Sequence, residues 1–459
     1  MTLTALLRPS ALALALALAG CSSLRTAYEA PATAVPARWQ HGPDAARDAE
    51  AATGGWWRAF GDPVLDALVE AALARSNDLA VAAIKVRSAR LQARLEENRP
   101  TLSGSVSADA SRSLDGGSTT RSNSASLSAS YELDLWNRLG ASLDAARWEA
   151  EATAEDREAT AQTLVGTTAT LYWQLAYYNQ RLAAAAESIA YAERTLALVQ
   201  AQYDAGSTSS LEVAESRQSL ASQRATFVQL QQQVVTTSNS LAVLFDGVPV
   251  EVAVPGWRVP QALPEAPLPE VAAGLPAALL GRRPDLRAAE LRLRKLLATA
   301  DATRLAYYPQ FSLTGALGGS STTLGSVLSN PAVTLGAGLT LPFLNLTEMR
   351  LNTEVARNDY EKAVIDFRQT LYEALADVDN ALSARRQYAL QGEQLEQSLA
   401  DARRIERLYE VRYRAGSVAL SVWLDAQESR RTAETSLAEN RLNRFANHAT
   451  LFQALGGGV

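Results

Sequence analysis

Between Asn137 and Tyr203 the residues Leu164, Leu171, Tyr178, Ala185, Ala192 and Val199 recur at every seventh position, and a second series, Leu175, Leu182, Ile189, Leu196 and Tyr203, runs offset by four. Apolar spacing that alternates four and three is the seam of a coiled coil. The stretch holds no proline, and after its first few residues its only glycine is Gly166. At about 1.5 Å per residue, roughly 66 helical residues reach about 100 Å, two or three times the diameter of an ordinary domain. A compact globule cannot contain such a helix, so the rest of the chain has to supply partners of matching length. The other faces carry Gln, Arg, Glu and Ala and suit water.

Composition removes most chemistry. A chain of 459 residues could hold two or three ordinary domains, but helices this long argue against counting compact units. The formal charge of -6 leaves no basic footprint for nucleic acid. Two histidines, His41 and His448, and one cysteine, Cys21, make no zinc set, disulfide or cysteine–histidine dyad, and each histidine reads most simply as a surface residue. No Gly-rich phosphate loop or serine-nucleophile elbow is present. The chain is therefore expected not to be an enzyme and to need no metal or cofactor.

Residues 1–20 read as a signal peptide: Arg8, then an apolar run from Ala11 to Ala19 that is too short to span a bilayer. Leu18-Ala19-Gly20-Cys21 resembles a bacterial lipobox, in which the Cys21 thiol receives a diacylglyceryl group; the alternative is an ordinary signal beside a stray buried cysteine. Several acyl chains at about 0.8 kcal/mol per buried CH₂ would hold the N-terminus in a bilayer. Ser22 rather than Asp beside Cys21 fits transfer to the outer membrane. Residues 21–55, rich in Ala and Pro, form an extended lead. Asp62 is the expected N-cap of a helix with Pro63 at its first position, and a second helix runs from about Asn77 to Arg99.

After Pro100 the period changes from helical to two. Strands are expected over about 100–112 and 122–135, with Leu102, Val106, Ala108, Leu127, Tyr131 and Leu133 on one face and a row of serines on the other, separated by a turn-rich segment from Arg112 to Ser122. About twelve residues tilted at 45° cross a hydrocarbon core; a soluble hairpin packed on a core gives the same pattern. Tyr131 and Trp136 suit an interfacial girdle, or simple packing. The long helix follows, then a tip at Tyr203-Asp204-Ala205-Gly206-Ser207, with Gly206 as its left-handed cap, and a helix from about Ser209 to Phe245.

Residues 249–275 are a proline-dense linker, and beyond them the punctuation recurs. Asn77-Asp78-Leu79 returns as Pro284-Asp285-Leu286, Arg99-Pro100 as Tyr308-Pro309, and Gln202-Tyr203-Asp204-Ala205-Gly206-Ser207 as Arg412-Tyr413-Arg414-Ala415-Gly416-Ser417. Strands are expected over about 309–319 and 332–343, then helices from about Leu346 to Tyr413 and Ala419 to Leu455. The fold class is therefore an α+β membrane protein of two tandem repeats, residues 56–248 and 276–459, each a helix, a β-hairpin, a long helix and a helix. Four membrane strands cannot close a barrel, and an open edge in lipid leaves backbone groups unpaired, so the chain must oligomerise.

Leu279-Leu280-Gly281-Arg282-Arg283-Pro284-Asp285-Leu286-Arg287-Ala288-Ala289-Glu290, followed by Tyr308-Pro309-Gln310-Phe311-Ser312-Leu313-Thr314-Gly315, resembles the signature of TolC/OprM-like outer-membrane efflux factors; with the lipobox it points to the lipoprotein branch that serves resistance-nodulation-division (RND) pumps. The resemblance covers nearly the whole mature chain. It implies a homotrimer with a 12-stranded outer-membrane β-barrel continuous with a periplasmic α-helical barrel. Such a trimer is a passive exit duct, coupled through a periplasmic adaptor to an inner-membrane RND transporter. It implies adaptor contacts at the tips, Gly206, Ser207, Gly416 and Ser417. It also implies an iris-like gate in which Tyr413 meets an acidic hydrogen-bond partner, Glu212, and Asp425 belongs to an acidic constriction ring. Val418 stands where the best-known pattern has arginine, and Val422 replaces the second acidic ring residue. The nearest alternative is the exit channel of a type I protein secretion system, and a non-conducting lipoprotein scaffold is the alternative from another class.

Overall fold

A computed structural model describes residues 24–42, 55–99, 101–115, 118–271, 274, 276–329 and 331–457; Cys21 and the signal segment lie outside them. The helices are α1 (Pro63–Arg75), α2 (Asn77–Glu97), α3 (Arg138–Asp204), α4 (Ser210–Val243), α5 (Pro284–Leu305), α6 (Leu346–Arg414) and α7 (Leu420–Ala454), with short helical turns between some of them. The strands are β1 (Leu102–Asp115), β2 (Ser118–Leu133), β3 (Gln310–Ser321) and β4 (Ala332–Thr340). The two long helices span 67 and 69 residues. Asp62 caps α1 as its sequence position predicts, its carboxylate accepting from the Val64 and Leu65 amides at 2.9 and 3.2 Å, with Pro63 first in the helix.

The chain divides into two compact units that cut across the sequence repeats: Met1–Thr33, Lys85–Ala154 and Ala288–Gln369 in one, Ala34–Ile84, Glu155–Arg287 and Thr370–Val459 in the other. The first contains the sheet. Its strands pair antiparallel in the order β1-β2-β3-β4, leaving β1 and β4 as edges. The register is continuous, from Leu102↔Tyr131 to Asp115↔Ser118 in the first hairpin. Of the segment expected to be turn-rich, residues 112–115 and 118–122 belong to the strands: Arg112 pairs with Arg121 and Leu114 with Thr119. One face carries Leu102, Val106, Leu127, Leu313, Leu317, Val333, Leu335 and Leu339, all exposed. The other is serine-rich, with hydroxyl pairs Ser105–Ser128 at 2.7 Å and Ser107–Ser126 at 2.9 Å.

The lead is tied to this unit through a buried carboxylate. Asp301 on α5, 4% exposed, accepts from the Thr26 amide at 2.7 Å and its hydroxyl at 2.8 Å, and Arg304 joins Asp301 to the Leu24 carbonyl. Arg25 pairs with Asp144 at 2.6 Å. Such charge-assisted bonds are roughly twice as strong as neutral ones. At the strand base Trp136 donates to the Pro309 carbonyl at 2.7 Å, and its ring lies 5.4 Å from that of Tyr308.

In the second unit the long-helix seam is buried, with one shift. Ala185, Ala192 and Val199 are covered, but the row between them is Ser188 and Thr195, while Ile189 and Leu196 are half-buried. The two hydroxyls donate to the Ala184 and Tyr191 carbonyls four residues back, which lets them enter the seam satisfied. An aromatic core joins Trp56, Phe60, Trp173, Phe445 and Phe452, with Trp56 and Phe452 stacked at 5.2 Å. His448 belongs to it, against the surface position its solitude implies. It is 1% exposed, edge-on to Phe60 at 5.3 Å and Phe452 at 5.0 Å, and burial, then the charge of Arg385, hold its pKa down to about 4. His41 is exposed and meets Asp379 at 2.8 Å. The Arg283-Pro284-Asp285 stretch is a clamp: Arg283 grips Asp285 through two nitrogens at 3.0 and 2.7 Å and reaches Asp377 and the Ala454 carbonyl at the end of α7.

Candidate gate at the helix tips

Two long helices end in the same way. At the first tip Gly206 has φ 74°, its amide donates to the Tyr203 carbonyl at 2.9 Å, and the Ser207 amide donates to the Gln202 carbonyl at 2.9 Å. At the second, Gly416 has φ 71°, with amides of Gly416 and Ser417 donating to Tyr413 at 2.8 Å and Arg412 at 2.9 Å. Both are Schellman turns, whose left-handed residue favours glycine. Open space surrounds both glycines, so conformation rather than crowding selects them. The Ser207 and Ser417 hydroxyls donate to the same carbonyls as their amides, at 2.9 and 3.0 Å.

Past the turns the chemistry diverges. Ser209 caps α4 by a capping box: its oxygen accepts from the Leu211 amide at 3.2 Å, while its own amide and hydroxyl donate to Glu212 at 2.8 and 2.5 Å. Those bonds hold the Glu212 carboxyl down to about 2. The equivalent residues 210 further on are Ala419 and Val422, and α7 starts with no side-chain cap. A hydrophobic cluster occupies that end instead, formed by Val199, Val213, Tyr413, Leu420 and Trp423, with Val418 packed against it.

Tyr413 and Glu212 take partners other than each other. The Tyr413 hydroxyl donates to Gln202 Oε1 at 2.7 Å, while Glu212 is engaged by Ser209; burial, then the Glu212 charge, raise the Tyr413 pKa. The Tyr413 ring, 8% exposed, stacks on Trp423 at 5.2 Å with the planes 26° apart. Trp423 meets Tyr191 edge-on at 6.2 Å, and the Tyr191 hydroxyl donates to Glu410 at 3.3 Å. Burial and Glu410 push that hydroxyl up to about 12. Two hydrogen bonds, Tyr413 to Gln202 and Tyr191 to Glu410, thus cross between the long helices. Gln202, Trp423 and Tyr191 were not foreseen from sequence; Gln202 stands beside Tyr203, the repeat partner of Tyr413, and Trp423 is the repeat partner of Val213.

Asp425, two residues past Trp423, is exposed. Behind the cluster, Arg430 bridges Glu406 at 2.5 Å and Glu434 at 2.6 Å. Buried polar atoms there are incompletely satisfied: the Trp423 indole nitrogen, both amide atoms of Gln427 and the Ser216 hydroxyl make no hydrogen bond.

Among the described residues no helix is long and apolar enough to cross a membrane. Residues 68–246 and 275–457 match the family described as Outer membrane efflux protein. The pyoverdine export outer membrane protein OpmQ of Pseudomonas putida is 33% identical over 438 residues, 93% of this chain and 92% of that protein. The antibiotic efflux pump outer membrane protein ArpC of Pseudomonas putida is 31% identical, over 96% of this chain and 93% of its own. The crystal structures of CusC, which concern folding and transmembrane channel formation, superpose with a TM-score of 0.82 at 28% identity, covering 95% of this chain and all of that one (100%). Two matched segments that together take up most of the sequence, one in each repeat, settle the family: this chain belongs to the outer membrane efflux proteins.

Proposed function

We propose that the chain is the outer-membrane exit duct of a tripartite RND-type efflux pump, passively conducting drugs or other small toxic compounds and catalysing no reaction. The observation that carries this is the sheet: four strands with an apolar, uncovered face and a serine-lined face, unpaired along both β1 and β4. Open edges in lipid are costly, so copies of the chain close them; three give twelve strands, an even number within the range of outer-membrane barrels. The sequence likeness to export and efflux proteins supports the pump assignment. Small hydroxyls along the inner face select little, which leaves choice of substrate to the pump.

In this reading Cys21 carries the lipid that anchors the chain to the outer membrane, and the helices stand in the periplasm. The tips at Gly206-Ser207 and Gly416-Ser417 meet the periplasmic adaptor. They also narrow the duct: Tyr413 and Trp423 form the latch, and three Asp425 carboxylates give the narrow end a negative annulus that favours cations. Planar-bilayer recording of the purified lipoprotein tests the reading: small, mostly closed, cation-preferring events are expected, with weaker cation preference in Asp425→Asn. Inserted protein that never conducts, even with adaptor added, counts against a duct.

A further inference from the structure

Two arginines stand side by side on the apolar face of the sheet. Arg112 and Arg121 are direct partners in the β1–β2 register, and both are exposed. Counting by twos, Arg112 shares its face with Leu102 and Val106, and Arg121 shares it with Leu127 and Tyr131. They are the only charged residues on that face of the paired strands. Directly opposed side chains in an antiparallel pair have Cβ atoms about 5 Å apart, and like charges so placed repel. Neither guanidinium ion-pairs with a carboxylate among the described residues.

Their height is informative. From Tyr131 to Arg121 is ten register positions, which at about 3.3 Å each and a tilt near 45° rise about 23 Å. The apolar band of an outer-membrane barrel is about 25 Å tall. With Tyr131 at one interface, Arg121 and Arg112 therefore stand at the other, among headgroups, above a lipid-facing wall of Val106, Leu127 and their neighbours.

We propose that Arg112 and Arg121 form a clamp for a phosphorylated lipid headgroup in the outer leaflet. One phosphate between the two planar forks relieves their repulsion and accepts paired hydrogen bonds, while the acyl chains lie on the apolar face beneath. A second copy of the chain is a poor occupant, because the edge strand it would bring, β4, has Val333, Leu335, Ala337 and Leu339 on this face and no carboxylate. The proposal rests on the barrel reading above.

The test uses the full-length lipidated protein in detergent, with native mass spectrometry reading its affinity for bis-phosphorylated lipid A, for lipid A stripped of both phosphates and for inorganic phosphate. The intact protein is expected to bind bis-phosphorylated lipid A about thirtyfold more tightly than R112S/R121S, from two basic side chains near a charged lipid surface. R112K/R121K should recover only part of that affinity, through charge without the paired hydrogen bonds, and neither the stripped lipid nor inorganic phosphate should discriminate the proteins. Equal binding by R112S/R121S overturns the clamp. Discrimination by inorganic phosphate as strong as by lipid A overturns the lipid as occupant. Photolabelling of Val106 and Leu127 from within the bilayer separates the two levels: unlabelled hairpins defeat the barrel and the clamp with it, whereas labelled hairpins without lipid A preference defeat the clamp alone.

Discussion

The two helix tips share a backbone and almost nothing else. Gly206 and Gly416 turn the chain identically, yet the first tip is finished by hydrogen bonds of Ser209 and Glu212, and the second by the stacked rings of Tyr413 and Trp423. Tyr203, 45% exposed, and Tyr413, 8% exposed, occupy equivalent positions with opposite fates. A repeated turn thus fixes where a tip is, while a few substitutions decide whether it is a self-contained cap or a contact with another helix. The first tip is satisfied within itself. The second depends on Gln202 and Val213 of the first.

The largest break in this comparison comes from Trp423→Ala. Removing a buried aromatic costs about 3–5 kcal/mol, so hydrogen exchange around residues 409–424 should accelerate strongly. Val213→Ala, its counterpart, removes only two methylene equivalents at about 0.8 kcal/mol each and should accelerate exchange far less. Equal responses would mean that the tips are held alike.

Next in size are the polar contacts. Ser209→Ala should loosen the start of α4 by about 1 kcal/mol, seen as faster exchange at Leu211 and Glu212. The same cap should weaken in acid. Because the folded Glu212 pKa lies near 2, below its ordinary value, its stabilisation is full above that ordinary value and is lost as pH falls towards 2. The start of α7, whose corresponding residues are Ala419 and Val422, should show no such loss. Tyr413→Phe should cost about 0.5–1.5 kcal/mol at the second tip through the lost bond to Gln202, whereas Tyr203→Phe should change exchange imperceptibly. The smallest effect is a gain: Ala419→Ser with Val422→Glu transplants the capping box, and should slow exchange at the start of α7 by an amount equivalent to under about 1 kcal/mol.

Much of this was legible from the sequence, because long periodic helices and prolines punctuate the repeats without help from tertiary contacts. The four-three seam, the Asp62 cap and the left-handed glycines follow from local rules, and the long helices lie close to their predicted bounds. The extent of the first hairpin was not legible: Arg112 to Ser122 has the composition of a turn, and only pairing across the hairpin reveals residues 112–115 and 118–122 as strand. Ser188 and Thr195 enter the seam because a helical hydroxyl can satisfy itself four residues back, so polarity alone mispredicts their burial. His448 looked like a surface residue in isolation, although its spacing of three and four from Phe445 and Phe452 places it on their face. At the tips, the resemblance pairs Tyr413 with Glu212, whereas the Tyr413 hydroxyl donates to Gln202 and Glu212 serves its own helix.

The most direct test of the tip comparison is single-channel conductance of the reconstituted protein with Tyr413→Phe, Gln202→Leu and Glu212→Gln measured side by side. A latch of Tyr413 on Trp423, held by the Tyr413–Gln202 hydrogen bond, predicts more frequent opening in the first two and a closed baseline in Glu212→Gln. Opening in Glu212→Gln, with Gln202→Leu still closed, would return the latch to the tyrosine–carboxylate pair and contradict the account.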